Sequence, residues 1–269
     1  MSNEIERPVL AFDTSTACLA GAVIQGDQVL SEVQSFAERN HSVQIINRLQ
    51  QLLDESGVSP DGLGGIVVGQ GPGSYTGMRI AVAAAKTLAW AWGKPLAAVS
   101  SLEAMAYGGL HAGALSGGRQ AAGTSAGTEW VLPIMDARRG QVYTGGYKQS
   151  AEAGWTCFAA DGVRLMKDWA DDMAGRAAQE DAGVQRIYVT GDLKLHLEEA
   201  ERLREQCRAA GVQVELLPYD LEGRWLAQLG RAKLRAGQTE NVHTFIPNYT
   251  QLVEAEVKLL AKQAEAGQP

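Results

Sequence analysis

Two apolar runs in this chain end in the same way. Pro8–Phe12 (PVLAF) stops at Asp13, and Val131–Met135 (VLPIM) stops at Asp136. Each is followed by a short turn and a further strand-like run, Leu19–Ile24 in one case and Gln141–Tyr147 in the other. A short apolar run closed by a turn-forming aspartate reads as a buried strand. Met twice in one chain, the pattern predicts an α/β fold built from two duplicated subdomains, each a mixed sheet flanked by helices. Two such strands also occur in unduplicated α/β proteins, so the duplication is an expectation.

The segments between these strands fill in the same plan. Gly26-Asp27 reads as a hairpin turn and Val29–Gln34 as the returning strand. A helix is expected from about Asn40, with Ile45, Ile46, Leu49, Leu52 and Leu53 as its apolar stripe and Gly57 as its stop. Strand 65–68, helix 74–92 and strand 95–99 complete the first half, with Gly93-Lys94-Pro95 ending the helix. In the second half we expect helix 164–175, strand 187–190, helix 193–209, strand 212–217, and helices at 222–236 and 251–264. Residues 108–128, rich in Gly, Ala and Ser, read as a linker or loop. The chain thus divides into 1–107, the linker 108–128, and 129–269, whose last helices are placed to pack back on the first subdomain.

Residues 69–79, GQGPGSYTGMR, separate strand 65–68 from its helix. A glycine-rich strand-to-helix turn suggests a phosphate cradle. The string lacks the Lys of a GxxxxGK[ST] loop, carries Ser74 where GxGxxG needs its third glycine, and misses GxSxG by one place on each side of Ser74. Two readings stand. Backbone N–H groups at the helix start could hold an anion, which makes Asp13, Thr14, Ser15, Gly71, Gly73 and Ser74 the nucleotide or phosphate candidates. Alternatively Gly71-Pro72-Gly73 only makes a tight turn and Ser74 or Thr76 caps the helix. Asp13 and Asp136 could likewise orient Mg²⁺ or water, or simply close their turns. A nuclease would need several convergent carboxylates, and only these two suggest themselves.

The helix Tyr75–Trp92 is the second constraint. At about 100° per residue, Arg79 and Lys86 share one narrow sliver and almost every other position is apolar. A helix apolar nearly all round is covered on several sides. Its alanines would let another helix approach, so Ile45, Leu49, Leu52, Met78, Val82, Ala85, Leu88 and Ala89 are the expected partner-interface residues. The competing reading is that the second half of the chain covers this helix. Burying three or four large side chains contributes about 5–10 kcal/mol, and association costs roughly 4–15 kcal/mol. The helix at 42–55 should therefore join, giving a four-helix contact in a twofold dimer.

Composition excludes several classes. Cys18, Cys157 and Cys207 are far apart, and none of the four histidines has another within five residues. Neither a disulfide framework nor a metal site is therefore expected, and His196, among glutamates, reads as solvated. The formal net charge is −7 and no Lys/Arg cluster exceeds the Arg138-Arg139 pair. Large RNA contacts are expected to come from another subunit. Lys86 interrupts the longest apolar stretch, and MSNEIERPVL has no signal-peptide core, so a cytoplasmic protein without a membrane span is expected.

Four strings carry a resemblance: Phe12-Asp13-Thr14-Ser15, Arg39-Asn40-His41-Ser42, Gly69–Arg79 and Ser100-Ser101-Leu102-Glu103-Ala104. Together they resemble the TsaB (YeaZ) family over residues 8–105, and Pro247-Asn248-Tyr249 is similar to its tail. The resemblance implies an actin-like (ASKHA, ribonuclease H-like) fold. It also implies an accessory, non-catalytic subunit for N6-threonylcarbamoyladenosine on tRNA, dimerising with the catalytic paralogue TsaD. TsaE, an ATPase, joins the larger complex, and TsaC makes the threonylcarbamoyl-adenylate donor. A homodimer is implied when the subunit is alone, with tRNA contacted mainly through the complex and no tightly bound cofactor, though ATP or ADP could lodge at the TsaD junction. Where TsaD carries a His-x-x-x-His metal pair, this chain has Ser101 and Met105, poor substitutes for imidazole. No catalytic residue and no metal ligand are expected here. On this reading, Val82→Arg or Leu88→Arg should abolish the heterodimer and leave the fold intact. The rival from another class is an ATP-dependent phosphotransferase of the sugar or acetate kinase type using Asp13 and Asp136.

Overall fold

The computed structural model describes residues 7–36, 41–116, 127–179 and 183–250. These residues form two five-stranded sheets. The first holds β1 (Val9–Asp13), β2 (Leu19–Gln25), β3 (Gln28–Ser35), β4 (Gly65–Gly69) and β5 (Leu96–Val99) in the order β3-β2-β1-β4-β5. The second holds β6 (Thr128–Asp136), β7 (Gln141–Ser150), β8 (Gly154–Leu165), β9 (Val184–Gly191) and β10 (Gln213–Pro218) in the order β10-β9-β6-β7-β8. Read from matching edges, the two orders are the same. β1 runs antiparallel to β2 and parallel to β4, and β6 likewise to β7 and β9.

The helices occupy matching places. α1 (His41–Ser56) follows β3 as α4 (Met166–Ala177) follows β8. α2 (Tyr75–Trp92) follows β4 as α5 (Leu197–Ala209) follows β9. α3 (Ser101–Ser116) follows β5 as α6 (Gly223–Arg235) follows β10. The fold is the actin-like pair of duplicated subdomains, with Asp13 and Asp136 closing equivalent strands.

Strand alternation explains the layering. Leu10 and Phe12 of β1 join Ile66 and Val68 under α1 and α2. Val9 and Ala11 point the other way and join Val67, Ala97 and Val99 with Leu226 and Ala227 of α6. Side chains that alternate with period two and are buried on both faces need a helical layer on each face.

Two helices change sides. α3 leaves the first sheet and packs on β6, β9 and β7, while α6 leaves the second sheet and packs on β1, β2, β4 and β5. This corrects the linker expected at 108–128. Residues 108–116 continue α3, β6 begins at Thr128, and 117–126 lie outside the described residues. The small residues there serve close approach. A Cβ at Gly109 would strike the Thr190 side chain, and one at Gly113 the Tyr188 ring.

Other differences have local causes. β8 has no fully buried position and no apolar alternation, so the sequence pattern did not reveal it. α4 begins at Met166 because β8 runs as far as Leu165, and a turn precedes α5. The helix expected at 251–264, and Asn40 where the first helix was expected to begin, lie outside the described residues.

Candidate functional site

The site is assembled around the glycine string and α2. Ser74 is the N-cap, its hydroxyl accepting from the Gly77 N–H at 3.3 Å, and Gly93 closes the helix in the left-handed region at φ 60°. The rest of the loop bonds inward. The Ser74 N–H donates to the Ser15 carbonyl at 2.7 Å, and the Gln70 N–H to the Val99 carbonyl at 2.9 Å. The Gly71 N–H donates to Ser101 Oγ at 3.0 Å, and Thr14 Oγ1 donates to the Gly77 carbonyl at 2.7 Å.

Asp13 is sealed within this network, with 0% exposure. Its Oδ1 accepts from the Ser15 N–H at 2.5 Å, and its Oδ2 accepts from Ser101 Oγ. A Cβ at Gly69 would overlap the carboxylate. Burial pushes the Asp13 carboxyl above its ordinary range, opposed by the hydrogen bonds from Ser101 and Ser15. Of the six phosphate candidates, Asp13, Thr14 and Gly71 therefore face their own chain and only Ser15, Gly73 and Ser74 border open space. The glycines let the loop pack against the end of β1.

That open space is a cleft of about 1460 Å³ between the lobes. Ser15, Gly73 and Ser74 border it on the first lobe and Asp136, Arg138 and Lys194 on the second, with Met105 and Met135 also lining it. Asp136 Oδ1 accepts from the Arg138 N–H at 3.1 Å and meets His196 Nε2 at 3.0 Å. His196, expected on a solvated face, is only 4% exposed. It stands at the N-cap of α5 and turns inward to Asp136, a pairing that sequence spacing of sixty residues could not signal. The kinase reading needs Asp13 to reach a bound metal or water, but its carboxylate is fully buried and does not line the cleft.

The two positions matching the imidazole pair are also structural. Ser101 is fully buried on Asp13 and Met105 packs in the core. Among the described residues no group of three His, Cys, Asp or Glu side chains could hold a metal ion. His111 stacks on Trp225 with ring centroids 4.3 Å apart, and His243 is exposed.

The expected interface residues need correction. Ile45, Leu49 and Leu52 of α1, and Val82, Ala85 and Ala89 of α2, are buried in the core beneath the first sheet's helices. Met78 is buried as well, against Gly71, and Leu88 is half-buried. A helix beside a sheet turns its densest apolar stripe inward, so the residues chosen for hydrophobicity are those the chain itself covers. Val82→Arg would therefore disrupt the core instead of testing a surface.

The chain's end covers one flank of α2. Phe245 is buried beside α2, Lys86 Nζ donates to the Phe245 carbonyl at 2.7 Å, and the Asn248 N–H donates to the Gln70 carbonyl at 2.8 Å. Among the outward residues are Arg79, Ala83, Thr87 and Trp90 along one side of α2, and the apolar Ile46 beside polar residues on α1. Trp90 is 68% exposed and Ile46 52%. The spacing of Arg79, Ala83, Thr87 and Trp90 at i, i+4, i+8 and i+11 was the available signal for this face.

Comparison with known proteins agrees with the geometry. The family described as "TsaD: tRNA N6-adenosine threonylcarbamoyltransferase" matches residues 32–196. The chain is 35% identical to the "tRNA threonylcarbamoyladenosine biosynthesis protein TsaB" of Bacillus subtilis (strain 168), over 95% of this chain and 99% of that protein. It is 34% identical to the "tRNA N6-adenosine threonylcarbamoyltransferase" of Anaeromyxobacter dehalogenans (strain 2CP-1 / ATCC BAA-258), over 70% of this chain and 54% of that longer protein. The solved structure "YeaZ from Pseudomonas aeruginosa" shares the fold, with TM-score 0.67 and 22% identity over 90% of this chain and 99% of that one.

Proposed function

The chain belongs to the TsaB family, and from that premise we propose that it is a non-catalytic scaffold subunit in the synthesis of N6-threonylcarbamoyladenosine on tRNA. Its partner in this reading is a TsaD-type transferase, the paralogue whose family matches most of the chain. The outer face of α1 and α2 docks that partner, with Trp90 and Ile46 as the apolar anchors and Ala83 allowing close approach. In the partner's absence the same face pairs with a second copy. TsaE joins the larger assembly, tRNA is held mainly by the complex, and the work takes place in the cytoplasm.

The observation that carries the reading is the burial of Asp13. The strand-end aspartate that would orient a metal or water has 0% exposure and spends both oxygens inside its own chain. A chain of this fold with that group sealed supports a scaffold better than a transferase or kinase. Any ATP or ADP bound at the partner junction would meet the exposed Ser74 and Thr76 at the start of α2.

Two experiments test this reading. Reconstitution of tRNA modification from purified subunits should depend on this chain, and activity that persists without it would refute the role. Calorimetry of the isolated protein with Mg-ATP should show no micromolar binding, and binding with turnover would instead establish the phosphotransferase.

A further inference from the structure

At the start of α3 two consecutive serines face two carboxylates from opposite lobes, Asp13 fully buried and Asp161 half-buried. Ser101 Oγ donates to Asp13 Oδ2 at the end of β1 and accepts from the Gly71 N–H at 3.0 Å. Ser100 Oγ donates to Asp161 Oδ2 of β8 at 2.5 Å and accepts from the Glu103 N–H at 3.1 Å, capping the helix. Tyr147 of β7 donates its hydroxyl to the other Asp161 oxygen at 2.5 Å. Trp155 stacks on Tyr147 with centroids 5.6 Å apart, and its Nε1 donates to Glu103 Oε1 at 3.3 Å.

We infer that Ser100 and Ser101 form a two-sided clamp that fixes the angle between the lobes and, through Gly71, seats the loop from which α2 starts. Each serine ties α3 to one lobe, and α3 itself packs on the second sheet after leaving the first. A shift of β7–β8 is therefore carried through one helix turn to the loop Gly69–Gly77. A hydroxyl suits this place because it donates to a carboxylate and accepts from a backbone N–H at once. Burial raises both carboxyls above the ordinary range, and the hydrogen bonds they accept from Ser101 and Ser100 oppose that shift. Ser100 and Ser101 are positioning residues, and the inference does not depend on the identity of any partner.

The test is amide hydrogen exchange on the full chain. Ser101→Ala should speed exchange at least tenfold in residues 69–77 and leave 143–163 at the wild-type rate. Asp161→Ala should speed exchange at least tenfold in 143–163 and increase the radius of gyration in small-angle scattering. Asp161→Asn should restore wild-type values, because the amide can donate to Ser100 and accept from Tyr147. If the asparagine variant behaves like the alanine variant, or if exchange is unchanged or rises uniformly over both segments, the clamp is wrong. The Asp161 pair decides the matter even if Ser101→Ala does not fold.

Discussion

His196 Nε2 lies 3.0 Å from Asp136 Oδ1, joining the turn before α5 to the end of β6 at the rim of the interlobe cleft. The imidazole is buried, so removing its partner leaves a polar group unsatisfied away from water. Asp136→Ala should therefore destabilise the protein by about 1–3 kcal/mol. Urea unfolding measures this directly, and an unchanged midpoint would show that the pair contributes nothing.

Trp90 is exposed near the C-terminal end of α2 and belongs to none of the core clusters. Trp90→Arg should leave stability within about 0.5 kcal/mol of wild type and prevent association with the TsaD-type partner in gel filtration. Val82→Arg, by contrast, places a charge in the core and should unfold the chain. An intact complex with the Trp90 variant would move the interface elsewhere.

Gly109 sits on the face of α3 that meets Thr190 of β9. A methyl group there overlaps the threonine side chain, and overpacking of this kind costs about 1–3 kcal/mol. Gly109→Ala should lower the thermal midpoint even though alanine favours helix. A rise in that midpoint would mean that the helix and sheet separate freely.

His111 is half-buried against Tyr107 and Trp225, and desolvation lowers its pKa below 6.5, opposed by the hydrogen bond with the Tyr107 carbonyl. The unfolded chain then takes up a proton at higher pH than the folded one. The contribution of His111 is fully present above the unfolded value and is lost as pH falls from there through the lower folded value. His111→Gln should flatten the loss of stability between neutral pH and pH 5, measured as the difference from wild type. An identical pH profile would exclude the imidazole as its source.

The repeated strand–aspartate–turn pattern was enough to predict two copies of one α/β unit, because period-two burial and turn chemistry are local properties of the chain. The cap at Ser74 and the stop at Gly93 were legible for the same reason. The role of each aspartate was not legible. Asp13 and Asp136 follow similar strands, yet one is sealed by Ser101 and the other meets His196 at the cleft, and both partners are distant in sequence. The Gly/Ala-rich stretch misled because small residues serve a linker and a tightly packed helix equally well. Only the contacts of Gly109 and Gly113 with the second sheet distinguish the two.

The apolar character of α2 was likewise plain in the sequence, but which of its sides remained open was not. That depended on the sheet beneath it and on Phe245 returning from the far end of the chain. Local order follows from neighbouring residues, whereas exposure is a property of everything that packs nearby. The sequence therefore determined the duplicated fold and the start and stop of α2, and the tertiary structure decided which side chains were left for anything else to touch.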